Sequence, residues 1–116
     1  MKKVNILGTT YKVYLNVNSA SDPQLDGLFG YTNFHNKKIV VADVRTIPEW
    51  ESADDEAAWD TFACTVRHEV IHAYLMESGL GGSANPSKCW SMNEEMVDWF
   101  AIQIPKIMKT FSELGV

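Results

Sequence analysis

The chain has 116 residues, 46% hydrophobic and 22% charged, enough for one packed core and too few for two, so residues 1–116 read as a single domain. Its formal net charge of -5 argues against a protein that lives on nucleic acid, because such binders concentrate Lys and Arg to displace counterions. No apolar run approaches bilayer-spanning length, and the lysines of MKKVNILG precede no apolar segment, which predicts a cytoplasmic protein with no membrane partner. Cys64 and Cys89 match no zinc-finger or redox spacing and read as reduced thiols.

VNILG and YKVYLNV are β-favouring runs around Gly8, Thr9 and Thr10, and Tyr11, Val13, Leu15 and Val17 alternate with Lys12, Tyr14 and Asn16. The pattern predicts an opening hairpin with one buried face. NSASDPQLDG gathers turn-forming residues and reads as a loop. LFGYTNF and KKIVVADV follow as a second strand pair around the polar HNK, for a sheet of three or four strands. Pro48 closes that region, and Ser52 followed by Asp55 has the spacing of a capping box, so a helix should begin near Ala53.

From there to about Ser78, the residues Trp59, Phe62, Ala63, Val66, Val70, Ala73 and Tyr74 recur at three and four, the mark of a long, largely buried helix. Gly79, Gly81, Gly82 and Pro86 end it in a long loop. Ser91 and Glu94 make a second capping box ahead of a second amphipathic helix, outlined by Val97, Phe100, Ala101, Ile104, Ile107, Met108, Phe111 and Leu114. Pro105 should kink or split that helix. The expected fold class is α+β: a small N-terminal sheet, then two helices.

The first helix carries RHEVIH. Residues four apart on a helix lie one turn above each other, so His68 and His72 can reach one metal ion. Glu69 is rotated by about 100° from His68, which puts its carboxylate beside the metal, where it can accept a proton from an activated water. A catalytic zinc normally has three protein ligands and one open position, so a third ligand is required. Leu75 and Ser78 stand where the longer histidine motif would need a glycine and a third histidine. Cys64 is about 12 Å of helix away from His72 and reads as a small buried residue. Cys89, just ahead of the second helix, reads as a loop thiol more readily than as a ligand.

SMNEEMVDWFA offers Glu94, Glu95 and Asp98. At about 100° per residue, Glu95 points almost opposite the apolar face, whereas Glu94 and Asp98 lie along its rim, where a carboxylate needs a partner. Glu94 is therefore the expected third ligand, with Asp98 as an acceptor that orients one histidine through its free ring N–H.

HEVIH followed on a later helix by NEEMVD resembles the zincin metallopeptidases of the gluzincin type, whose pattern is H-E-x-x-H and then N-E-x-x-x-D. The short length, the sheet ahead of the motif helix, and Glu94, Asp98, Phe100 and Ala101 look like the minigluzincins and the ImmA/IrrE-like peptidases, small proteins often encoded by phages and mobile elements. The resemblance implies a zincin-like minimal domain, Zn2+ on His68, His72 and Glu94, Glu69 as general base, and Asn93 and Asp98 in support. It also implies a peptide or protein substrate. The chain departs from the larger gluzincins in having no C-terminal domain to donate an oxyanion-stabilising His or Tyr.

For that role Tyr31, His35 and Tyr74 are the candidates. A substrate chain is expected to pair with KKIVVAD as an exposed edge strand, the tryptophans read as core or pocket walls, and Arg67 as the partner of an acidic neighbour. The alternative is a non-catalytic zinc-containing module that binds a protein partner. Glu69 discriminates between the two, since a structural site has no use for a base. A nuclease or deaminase is disfavoured by the acidic balance and by the lack of P-C-x-x-C beside the histidines.

Overall fold

Leu7 and Gly8, both at positive φ (49° and 91°), close the first hairpin, the backbone combination that matches the right-handed twist of paired strands. The computed structural model describes residues 1–82 and 89–116. In it, β1 (Lys2–Ile6) pairs antiparallel with β2 (Thr9–Val17), and the Asn5 side chain accepts from the Gly8 N–H at 2.9 Å. Thr9 and Thr10 belong to β2 rather than to the turn. The second pair, β3 (Gly30–Asn33) and β4 (Lys38–Ala42), is also antiparallel. The two hairpins join through a parallel β2–β4 pairing, so the four-stranded mixed sheet runs β1-β2-β4-β3.

This order corrects one expectation. KKIVVAD, anticipated as an edge, is the interior strand β4, and β3 is the edge on that side. Ile39, Val40 and Val41 are all buried, as a strand covered on both faces requires.

A second correction concerns β2. Tyr11 and Val13 face the first core cluster with Ile6, Ile39 and Val41, and Leu15 packs against it. Val17 does not follow them, because the pairing shifts register between Tyr14 and Val17, where Asn16 has φ 56°. The bulge inserts one extra residue, so Val17 packs on the opposite face with Leu25, Val40 and Ala42.

Helix α1 (Asp55–Glu77) crosses the first face of the sheet. Its N-cap is Asp54, which accepts from the Ala57 N–H at 2.8 Å, and not Ser52. Phe62, Val66, Val70 and Ala73 meet the core, while Tyr74, expected in that face, is exposed. At about 100° from Ala73 it has turned away from the sheet.

The C-terminal end of α1 is latched to the sheet by Glu77. Its carboxylate accepts from Thr9 Oγ1 (2.9 Å), Tyr11 Oη (2.7 Å) and Lys37 Nζ (2.5 Å). The Lys37 ammonium first, and the Tyr11 hydroxyl second, hold Glu77 below its ordinary value of 4.5. Since the folded-state value is the lower one, this stabilisation is present above pH 4.5 and is lost as acidification passes the folded value. Thermal midpoints measured from neutral pH downward should therefore fall more steeply for the wild type than for Glu77→Gln. Parallel curves would show that the latch contributes nothing.

Helix α2 (Glu94–Leu114) is capped by Asn93, which accepts from the Met96 N–H at 2.9 Å. Ser91 was the expected cap and lies instead in the short turn Trp90–Met92 ahead of it. Residues 83–88 of the preceding loop, Pro86 included, lie outside the described residues.

Pro105 does not split α2. A proline has no N–H for the carbonyl four residues back, here that of Ala101. Arg67 supplies the missing donor, its Nε reaching the Ala101 carbonyl at 2.6 Å, so this side chain serves the backbone of α2 rather than an acidic neighbour. Arg67→Met should cost about 1.5–3 kcal/mol of stability. In a Pro105→Ala background, where the backbone N–H gained at that position would restore the helical bond, the same change should cost less than about half as much. Equal costs in a denaturant-unfolding cycle would refute the coupling. The tryptophans meet the expectation of core or pocket walls only in part: Trp90 and Trp99 are exposed, Trp59, though exposed, lines a cavity beside Phe62, and half-buried Trp50 packs edge-on against Phe29 at 5.3 Å. Among the described residues no helix is long and apolar enough to cross a membrane.

Candidate metal centre

The two histidines of α1 are held from behind by different means. His68 Nδ1 is 2.7 Å from Asp98 Oδ1, one turn after Glu94 on α2. His72 Nδ1 is 2.5 Å from the Ser91 carbonyl oxygen. A carbonyl only accepts, so His72 carries its proton on Nδ1, and the carboxylate asks the same of His68. Both Nε2 lone pairs are thereby free, and they face each other at 3.0 Å.

Glu94 closes the group. Its Oε2 is 2.9 Å from His68 Nε2, and its Oε1 is 3.2 Å from His72 Nε2. All three side chains place a ligand atom within 4.8 Å of the others. Two imidazole lone pairs and a carboxylate crowded this closely repel unless a cation lies among them. For ligand bonds of about 2.0–2.1 Å in tetrahedral array, neighbouring donors sit roughly 3.3 Å apart, close to the observed separations. His68, His72 and Glu94 can hold a metal ion, and their donor chemistry, two imidazoles and one carboxylate, fits zinc. No known protein family, curated protein or solved structure matches the chain.

Glu69 is buried, although it belongs to the polar motif. Thr32 of β3 explains how a carboxylate is tolerated there, with its hydroxyl 2.7 Å from Glu69 Oε2 and 3.0 Å from the Glu69 carbonyl. A hydroxyl has one proton, and the charge-assisted bond to the carboxylate is the stronger use of it. Burial pushes the Glu69 carboxyl above its ordinary value, and the Thr32 bond opposes that shift. Gly30, two residues earlier on β3, makes the approach feasible: a Cβ there would lie 2.9 Å from Thr65 Cγ2 and 3.3 Å from Glu69 Cγ.

Two adjoining cavities share His68, Glu69 and Gly30 as a wall. The larger, about 300 Å³, is bounded by His72, Glu94 and the apolar Leu28, Phe34 and Met92. The smaller, about 210 Å³, extends along α1 past Thr65 to Cys64 and Phe29. Cys64, expected to be a buried core residue, is only half-buried and lines this second space. Cys89 is buried against Ser91 Oγ at 3.0 Å.

Of the other expected site residues, Asn93 acts as the helix cap that precedes Glu94. Tyr31 lines the larger cavity but directs its hydroxyl to Asp22 Oδ2 at 2.7 Å. His35, exposed in the β3–β4 turn, and Tyr74, on the outer side of α1, line neither cavity. Thr32 and the Ser91 carbonyl were absent from the sequence reading. Thr32 left only a faint signal, the small residues Gly30 and Thr32 alternating on one side of a short strand, and a backbone carbonyl leaves none.

Proposed function

We propose that this protein is a zinc-dependent peptidase of the gluzincin type that hydrolyses peptide bonds with Glu69 as general base. The observation that carries the proposal is the placement of Glu69: a buried carboxylate, fixed by Thr32 and lining the same cavity as the three convergent donors His68, His72 and Glu94. A site that served only to hold the fold together would have no use for it.

Zinc bound there would acidify a water molecule and polarise a substrate carbonyl. Glu69 takes the proton from the attacking water and delivers it to the departing amine. Thr32 keeps the accepting carboxylate oriented. Asp98 and the Ser91 carbonyl keep both imidazoles turned so that Nε2 points inward. The edge strand β3, which also carries Thr32, borders the cavity, so an extended substrate can add to the sheet there. Leu28, Phe34 and Met92 favour an apolar side chain next to the scissile bond.

The test is to load the purified protein with zinc and digest a peptide library, with products read by mass spectrometry. Cleavage that stops when a chelator is added is expected. Full zinc occupancy with no cleavage of any peptide would overturn the peptidase reading and leave a binding module.

A further inference from the structure

Val97, Ile104 and Phe111 recur every seven residues on α2, and so do Phe100, Ile107 and Leu114. This is the spacing of a helix that packs along another helix. The start of the stripe is used within the chain, where Val97 and Ala101 are buried. From Pro105 onward no residue of α2 is fully buried: Ile107 is half-buried, and Met108, Phe111 and Leu114 stand exposed.

We propose that this stripe is a dimer interface, covered by the same stripe of a second copy of the chain running antiparallel. The positions that flank its open part, Gln103, Met108 and Thr110, carry no charge. The charged residues Lys106, Lys109 and Glu113 lie on the far side of the helix, by about 100° per residue, so no like charges oppose an identical partner. An antiparallel pair also opposes the two helix dipoles.

The area suits a reversible dimer. Met108, Phe111 and Leu114 are 58%, 45% and 72% exposed, which at about 200 Å² for a large apolar side chain leaves on the order of 350 Å² open. Phe100, Ile104, Ile107 and the flanks extend this to roughly 600 Å² per copy, somewhat below the ~800 Å² of a standard interface. The stripe is turned about a third of a revolution from Glu94 and Asp98. Dimerisation therefore leaves the metal centre open and does not depend on its chemistry.

Sedimentation equilibrium should show the chain passing from monomer to dimer with a dissociation constant on the order of 10 µM. Phe111→Glu, an exposed position whose far-UV spectrum and metal content should stay unchanged, should be monomeric throughout. Gln103 and Thr110 face each other only in the antiparallel arrangement. Gln103→Glu/Thr110→Lys should accordingly tighten the dimer a few-fold, and Gln103→Lys/Thr110→Lys should loosen it by a similar factor. A wild type that stays monomeric up to about 200 µM, some twenty times that constant, overturns the proposal. So does a dimer indifferent to Phe111→Glu, and an equal response to the two double variants overturns the antiparallel arrangement.

Discussion

Glu69→Gln should retain its metal and lose at least about a thousandfold in kcat, with KM little changed. The amide keeps the size of the carboxylate and its acceptor for the Thr32 hydroxyl, so the buried position remains satisfied and the fold is preserved. What disappears is the capacity to take a proton. Thr32→Val tests the same carboxylate from the other side. Without the hydroxyl, Glu69 keeps its charge but loses the contact that orients it, and kcat should fall by about ten- to a hundredfold at unchanged metal content. Thr32→Ser, which keeps the hydroxyl, should recover most of that loss. Wild-type cleavage by Glu69→Gln would remove the general-base role.

Removing a donor should empty the centre. His72→Ala and Glu94→Ala are each expected to drop from one zinc per chain to less than about a tenth under dialysis, because two remaining donors cannot hold the ion against water. The two variants should differ in the metal-free state. The Glu94 side chain is 62% exposed, and its loss disturbs little. The His72 side chain is 7% exposed and satisfies the Ser91 carbonyl, so its removal leaves a buried acceptor unpaired at about 1–3 kcal/mol. Asp98→Ala should weaken zinc binding by about 10–100-fold, by freeing the His68 ring to turn. Stripping zinc from the wild type should lower the thermal midpoint by roughly 10 °C, as expected when about 2.7 kcal/mol of linkage is lost from a small domain. A wild type that takes up no zinc on titration would show that the three donors are not ligands.

The elements that local chemistry specifies were readable from residue order. The motif helix, its histidine pair and the second helix with its carboxylates follow from a 3.6-residue period, and the strand pairs from β-favouring runs between turn residues. The caps went astray by a few residues, at Ser52 and Ser91, because several polar side chains near a helix start compete and the backbone path decides among them. The edge strand went astray by more. Whether β4 or β3 borders the site depends on the parallel pairing of β2 with β4, a contact between segments far apart in the chain.

Arg67 shows how the two kinds of information meet. Proline at position 105 implies an orphaned carbonyl at Ala101, which is local and readable. That Arg67 fills it could be known only once α1 lies against α2. The same division runs through the metal centre. Residue order alone sets His68, Glu69 and His72 on one helix, and puts Glu94 and Asp98 on one side of another, since helical geometry is fixed within a few residues. Their convergence, the Thr32 hydroxyl on Glu69 and the Ser91 carbonyl on His72 come only from tertiary packing, because each joins segments far apart in the chain, β3 by burial of the sheet against α1 and the second helix by burial of Val97 and Ala101.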